Sequence, residues 1–327
     1  MRAEEAVVGL LGGGLRCGEV RQSGPLSVVG LFHDGAAVPY RLFAAAAAAG
    51  LVEVEEVGAG SVPELRVVNR AAEPVLLVEG EVLGGLKQTR TLNTTVLVPA
   101  GATLVIPVSC VEAHRWGAPS PMAREDVHAS PAVRVFKNLG VRKHVRMGVG
   151  YRSDQGEVWG AVDRHLAAHR VESPSASYAE VQRQRSGDLG DIAGRLQPEP
   201  GQRGVLALAG GRPLALDVFD RPETLAVLWA GLVGSYAADA LVAAGGAGPG
   251  VAPAGEWLAG LARGEASTHA AVGLGEVVFL SSPAAVVSAL VVDAAVVHLA
   301  GLWAPGATAE EPRRPAGARR AWFGESQ

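Results

Sequence analysis

Between residues 26 and 112 the chain alternates apolar, β-branched runs with breaks made of Gly, Pro and Asn. No other feature constrains the fold as much. Segments 26–32, 51–57, 64–69, 75–83, 86–98 and 103–112 have the Val, Ile, Leu and Thr content of strands, and turn-forming residues separate them. Strands joined this way pair with antiparallel neighbours, which predicts a sandwich or barrel-like sheet. Residues 40–50 read as a helix ended by Gly50.

The remaining sequence adds helices to this β core. Residues 119–200 form a polar connector that is basic from Arg134 to Arg152, with helices expected over 158–169 and 177–195 and room for a disordered or lid-like stretch. Strand character resumes at 205–208 and 213–219 around a Gly210-Gly211 turn. Asp220-Arg221-Pro222-Glu223 then reads as a helix start with a capping box. Leu225, Leu228, Leu232, Tyr236 and Ala240 follow at helical spacing, with Asp239 expected on the exposed side. A short helix at 257–262 precedes strands at 277–280 and 289–302. The predicted class is therefore α+β, a largely antiparallel β core with several packed helices. Its parts are residues 1–118, a connector 119–200, a completing part 201–305, and a disordered tail 306–327 that carries Trp322 and Phe323.

Composition narrows the function classes. The net charge of −4 over 327 residues argues against general nucleic-acid or anionic-membrane binding, which calls for a basic excess. With two cysteines, Cys17 and Cys110, there is neither a disulfide framework nor a CxxC zinc pattern, and a reducing cytoplasm is the expected setting. The N-terminus makes a poor signal peptide. Residues 284–303 contain Asp293 and His298 and read as strands paired about Asp293-Ala294 rather than as a membrane helix. Neither a phosphate loop, a GxGxxG fingerprint nor a GxSxG elbow is found.

The densest polar chemistry lies in residues 77–116. With Gly84-Gly85 as a two-residue turn, Leu83 opposes Leu86, Glu81 opposes Gln88 and Glu79 opposes Arg90. Side-chain alternation then puts Glu79, Glu81, Gln88 and Arg90 on one face between apolar pairs. Two carboxylates spaced along one strand face suit a general acid and base, or two metal oxygens. The competing reading is a solvated edge ribbon whose ion pair contributes little. Lys87 and Arg90 would clamp an anion, while Gln88 and Asn93 would orient it. Glu112, Arg115 and Trp116 follow the next strand, where Trp116 either stacks on a ring or plugs the sheet. Cys110 shares the inward face of that strand and reads as a core thiol. A nucleophilic role would require His114 to turn back on it. His165 and His169 stand four apart on a helix, but a third ligand is lacking and no metal site is assigned.

The segment 80–116, with 215–241 and 288–303 in support, resembles the ARG and rhodanese-phosphatase-superfamily-associated protein domain family, first type. Its Gly-Gly-x-Lys-Gln-x-Arg pattern falls on Gly84, Gly85, Lys87, Gln88 and Arg90, and the likeness covers most of residues 20–305. The resemblance implies a prokaryotic protein encoded near ADP-ribosylglycohydrolase-like or rhodanese-phosphatase genes, and hence a ligand of ADP-ribose, NAD or phosphate-ester type. It implies a ligand class rather than a reaction or a cofactor. The leading expectation is a pocket in which Glu79, Glu81 and Glu112 are the catalytic candidates and Lys87, Gln88, Arg90, Asn93, Arg115 and Trp116 bind a nucleotide-like small molecule. The alternative is a non-catalytic sensor or protein-interaction module.

Overall fold

The computed structural model describes residues 1–115, 120–243, 254–282 and 285–303. The chain begins with helix α1 (Ala3–Gly9) and the hairpin β1 (Arg16–Ser23) and β2 (Leu26–Phe32). Next come β3 (Arg41–Leu42), α2 (Phe43–Ala48), β4 (Val52–Glu56), β5 (Glu64–Asn69) and β6 (Val75–Leu77). The candidate region holds β7 (Glu81–Leu86), β8 (Arg90–Leu92), β9 (Val96–Val98), β10 (Thr103–Cys110) and β11 (Ser120–His128). Four helices follow: α3 (Pro131–Arg146), α4 (Gln155–His169), α5 (Ala179–Gln184) and α6 (Ser186–Gly194). The chain continues with β12 (Gly204–Ala209), β13 (Arg212–Phe219), α7 (Pro222–Val242) and α8 (Ala254–Ala262). It closes with β14 (Glu265–Ala270), β15 (Glu276–Ser281), β16 (Ala285–Val292) and β17 (Ala295–Trp303). This is an α+β fold with an antiparallel β core.

The strands form three sheets. The largest runs β1-β2-β12-β13-β17-β16-β15-β14, and every neighbouring pair in it is antiparallel. A six-stranded sheet runs β11-β7-β8-β10-β5-β4. A small one, β3-β6-β9, contains a parallel pair, β3 with β6.

Alternation explains why the large sheet's strands are apolar on both faces. Val28, Val205, Ala207 and Val297 pack with Trp229, Leu232 and Tyr236 of α7, while Val29, Leu206, Leu208 and Leu299 pack with α1 and α8. A strand covered on both sides gains from apolar residues at every position, so such runs lose the period-two signature. The hairpin turns obey local chemistry. Gly210 and Gly211 both take positive φ, and so do Asp293 and Ala294, which accepts φ +64° where Gly is the usual choice.

Helix α7 is buried around most of its circumference. By length and composition it could cross a membrane, but in the fold 61% of its apolar window is covered by protein. Its expected capping box does not form. The Asp220 carboxylate instead accepts from the Val38 amide (2.8 Å) and the Tyr40 hydroxyl (2.5 Å), and Pro222 opens the helix unaided. Asp239, expected at the surface, is buried, because its Oδ2 accepts from the Ala132 amide (2.7 Å) at the start of α3.

The connector departs furthest from expectation. Residues 131–146 are helical rather than a loose basic stretch, with Pro131 at the first helical position. Val133 and Val141 point into the core, and so do Arg134 and Lys137. The expected helices over 158–169 and 177–195 are present as α4 and as the pair α5 and α6. The tail 306–327, with Trp322 and Phe323, lies outside the described residues.

Candidate functional site

The turn expected at Gly84-Gly85 does not form. β7 carries both glycines and pairs with β11 as Ala123↔Gly84 and Ser120↔Leu86, with a register shift between them. Gly85 (φ +72°) and Leu86 (φ +52°) bend the strand end, and the chain reverses over residues 87–89. β7 meets β8 as Val82↔Thr91 and Leu83↔Arg90, so Glu79 does not oppose Arg90 and Glu81 does not oppose Gln88. The long strand expected over 75–83 is broken at Val78–Glu81 by a reverse turn. There the Glu81 amide donates to the Val78 carbonyl (3.1 Å), and Gly80 takes φ +92°, which favours glycine. The polar quartet is therefore divided between two clusters.

The first cluster gathers Gln88, Thr89, Arg90, Glu112 and Arg115. One Glu112 oxygen accepts from the Thr89 amide (3.1 Å), the Thr89 hydroxyl (2.8 Å) and Arg115 Nε (2.8 Å). Burial pushes the Glu112 carboxyl up, but the Thr89 and Arg115 hydrogen bonds outweigh it and hold the group below the usual carboxylate range. Gln88 donates to the Glu112 carbonyl (3.2 Å) and accepts from Arg90 Nη1 (3.0 Å). Arg90 has no exposed surface, and among the described residues its Nε and Nη2 find no hydrogen-bond partner. Burial lowers its proton affinity, and neighbouring Arg115 adds to that while Cys110 and Glu56 oppose it. Arg115 is a third exposed and leads from this cluster toward solvent.

Cys110 is a buried thiol, as its strand position predicts. Burial pushes its pKa up, and its sulfur contacts the Glu112 carbonyl (3.0 Å), while His114 stands exposed. A thiol held protonated is a poor nucleophile. Lys87 bonds the Ala59 carbonyl through Nζ and Glu56 through its amide. Glu81 closes its own turn, with Oε2 accepting from the Val78 amide (2.7 Å). Trp116 lies outside the described residues.

The second cluster is one that the sequence did not announce. Glu79, at the turn, receives Arg134 Nε (3.0 Å) and Nη2 (2.6 Å) on one oxygen and Lys137 on the other. Arg134 also spans Asp217, with Nη1 and Nη2 at 2.9 and 2.7 Å. Tyr236 donates to Asp217, and His298 Nε2 stands 3.1 Å from it. His298 Nδ1 meets the Thr95 hydroxyl (2.6 Å), which accepts from the Glu79 amide (3.0 Å). Asn93 belongs here too: its carbonyl accepts from Lys137, and its amide donates to the Tyr151 carbonyl.

These charges balance, two carboxylates against two cations, and nearly every polar atom is partnered. Burial alone would raise the Glu79 carboxyl, but Arg134 and Lys137 hold it at about 2, and the same guanidinium keeps Asp217 well below the carboxylate range. Glu79 therefore serves as the hinge of an ion-pair network that ties the β6–β7 turn to α3 and β13. His128 lies against this network with Nε2 unpartnered. Burial and then the Arg134 charge push it down to about 3, so it stays neutral. One signal could have found the network: Asp217 is a charge set inside the apolar run from Leu214 to Phe219.

A family model described as the ARG and Rhodanese-Phosphatase-superfamily-associated Protein domain matches residues 14–302. Comparison with curated proteins and with solved structures finds no match.

Proposed function

We propose that this chain, which belongs to that family, is a ligand-binding protein whose Gln88–Arg90–Arg115 cluster takes the phosphate of a nucleotide-derived compound such as ADP-ribose or NAD. The observation that carries this reading is the Arg90 guanidinium, fully buried with two of its nitrogens lacking a hydrogen-bond partner among the described residues. Each buried donor left unmet costs roughly 1–3 kcal/mol, and more when charged. Its counterpart Arg134, equally buried, is saturated by two carboxylates. A phosphate oxygen would supply what Arg90 lacks, since the guanidinium fork matches oxyanions bidentately.

Binding is favoured over acid–base chemistry by the state of the acidic groups. Glu79 and Glu112 are both held ionised, Glu79 with both oxygens engaged and Glu112 with Oε2 engaged, so neither offers a proton near neutral pH. Both act as positioning groups, Glu112 for the segment that carries Gln88, Thr89 and Arg90. This role fits a sensor or carrier of the ligand.

Thermal shift of the full chain with ADP-ribose, NAD and inorganic phosphate tests the reading. At about 100 times its Kd a ligand adds about 2.7 kcal/mol, an easily read rise in melting temperature. The expected result is a rise with at least one compound that vanishes in Arg90→Met. No rise with any of the three, or one unchanged in Arg90→Met, refutes the assignment.

A further inference from the structure

A separate cavity of about 420 Å³ lies where α3, α4 and the end of α7 meet the last residue of β17. Pockets that hold small molecules span roughly 300–1,000 Å³. Its walls are mostly apolar, with Val135, Phe136, Leu214 and Trp303 among them, and its polar lining residues include Arg164, His165 and Asp239. None of these residues belongs to the Arg90 cluster.

The polar members are organised rather than scattered. Asp239 caps the start of α3 through Oδ2 and presents Oδ1 to His165 Nδ1 at 3.4 Å. The imidazole stacks on Tyr178, with ring centroids 5.1 Å apart, and meets His169 edge-on at 4.7 Å, so packing fixes its plane. In the tautomer that carries its proton on Nδ1, facing the carboxylate, Nε2 is an acceptor; it is buried and among the described residues has no partner. A buried acceptor on a cavity-lining residue calls for a ligand donor. Arg164, exposed one residue before His165, lies over the Phe136 ring at 4.5 Å and gives the cavity a cationic edge beside an aromatic wall.

We infer that this cavity binds a single aromatic ring with a hydroxyl or N–H donor on one edge, accepted by His165, and an anionic group on the opposite edge, held by Arg164. Its apolar walls take the ring faces, and the Asp239–His165 pair selects for the donor. Removing that donor costs more than removing an equal amount of apolar surface, because the acceptor is then left unmet.

Calorimetric titration of the full chain with 4-hydroxybenzoate tests this, with benzoate lacking the donor and phenol lacking the anion. A fragment of this size is expected to saturate at about 1 mM or below. Benzoate is expected to bind about tenfold more weakly. His165→Phe keeps the stack on Tyr178 but deletes Nε2, and should weaken 4-hydroxybenzoate by about tenfold. Arg164→Ala should weaken 4-hydroxybenzoate similarly and leave phenol unchanged, and Arg90→Met should leave all three unchanged. The inference is overturned by failure to saturate at about 10 mM, by equal binding of benzoate and 4-hydroxybenzoate, or by loss of binding in Arg90→Met. Should His165→Phe not fold, the two-compound ratio and Arg164→Ala decide alone. Because Arg90→Met separates the sites, either proposal can fail while the other stands.

Discussion

Two equally buried arginines are predicted to respond with opposite sign to the same substitution. Arg90 and Arg134 both have no exposed surface, but Arg134 is gripped by Glu79 and Asp217, while Arg90 hydrogen-bonds Gln88, has Cys110 and Glu56 near it, and forms no salt bridge among the described residues. Arg90→Met removes two unmet donors, worth roughly 1–3 kcal/mol each. Against this stands the lost hydrogen bond to Gln88, about 1 kcal/mol, and an unpaired Gln88 oxygen of similar cost. A flexible thioether fills the vacated space. The net expectation for the ligand-free protein is a gain of about 1–3 kcal/mol, in line with buried charges replaced by apolar side chains. Arg134→Met leaves buried Asp217 without its guanidinium and Glu79 with Lys137 as its remaining cation, and should cost roughly 3–5 kcal/mol. Urea unfolding of wild type and both variants, compared at a common m-value, measures the difference. A loss in Arg90→Met as large as that in Arg134→Met would refute the claim that Arg90 has no directly bonded carboxylate. Greater stability paired with lost ligand response is the trade expected of a binding residue.

Three further outcomes follow from the same geometry. Glu79 is held at about 2 against an ordinary 4.5, so it binds protons less readily folded than unfolded. Its contribution, roughly 3 kcal/mol, is complete above about pH 5 and lost as pH falls toward 2. His128, at about 3 against 6.5, withholds a proton that the unfolded chain takes up, so stability begins to fall near pH 6.5. Urea midpoints measured from pH 7 to 3 should therefore decline in two stages, the upper absent in His128→Leu and the lower flattened in Glu79→Gln. Gly80→Ala would set a Cβ 2.4 Å from His128 Nε2 at φ +92°, and a loss of several kcal/mol is expected, on the order of 2–4. A melting temperature within a degree or so of wild type would show that the turn is not tightly held. With Cys17 exposed and Cys110 buried and pushed up in pKa, a disulfide reagent should modify one thiol promptly in the native protein and the second only on unfolding. Equal rates for the two would contradict the packing of β10.

What the sequence determined by itself is whatever depends on neighbours in the chain. The Gly210-Gly211 and Asp293-Ala294 hairpins, the helix opening at Pro222, the strands at 52–56, 64–69 and 276–281, and the α+β class all follow from turn chemistry and local propensity. Gln88, Arg90, Glu112 and Arg115 were also legible as one group, since the strand ends that carry them pair directly, Cys110 with Arg90. The hairpin register was not legible. Gly84-Gly85 is good turn chemistry, but pairing with β11 keeps both glycines in a strand, and the demand of Arg134 and Lys137 for Glu79 goes with a turn at Gly80 instead. Those partners lie 55 and 58 residues away, and Asp217 lies 83 from Arg134. Local pattern reads a basic helix as a solvated face, whereas a distant carboxylate makes burial of the same charges favourable. Tertiary structure alone decided which charges are paired inside, which buried guanidinium keeps unmet donors among the described residues, and which histidine lines a cavity, because an ion pair or an unmet donor is a property of two distant segments brought together.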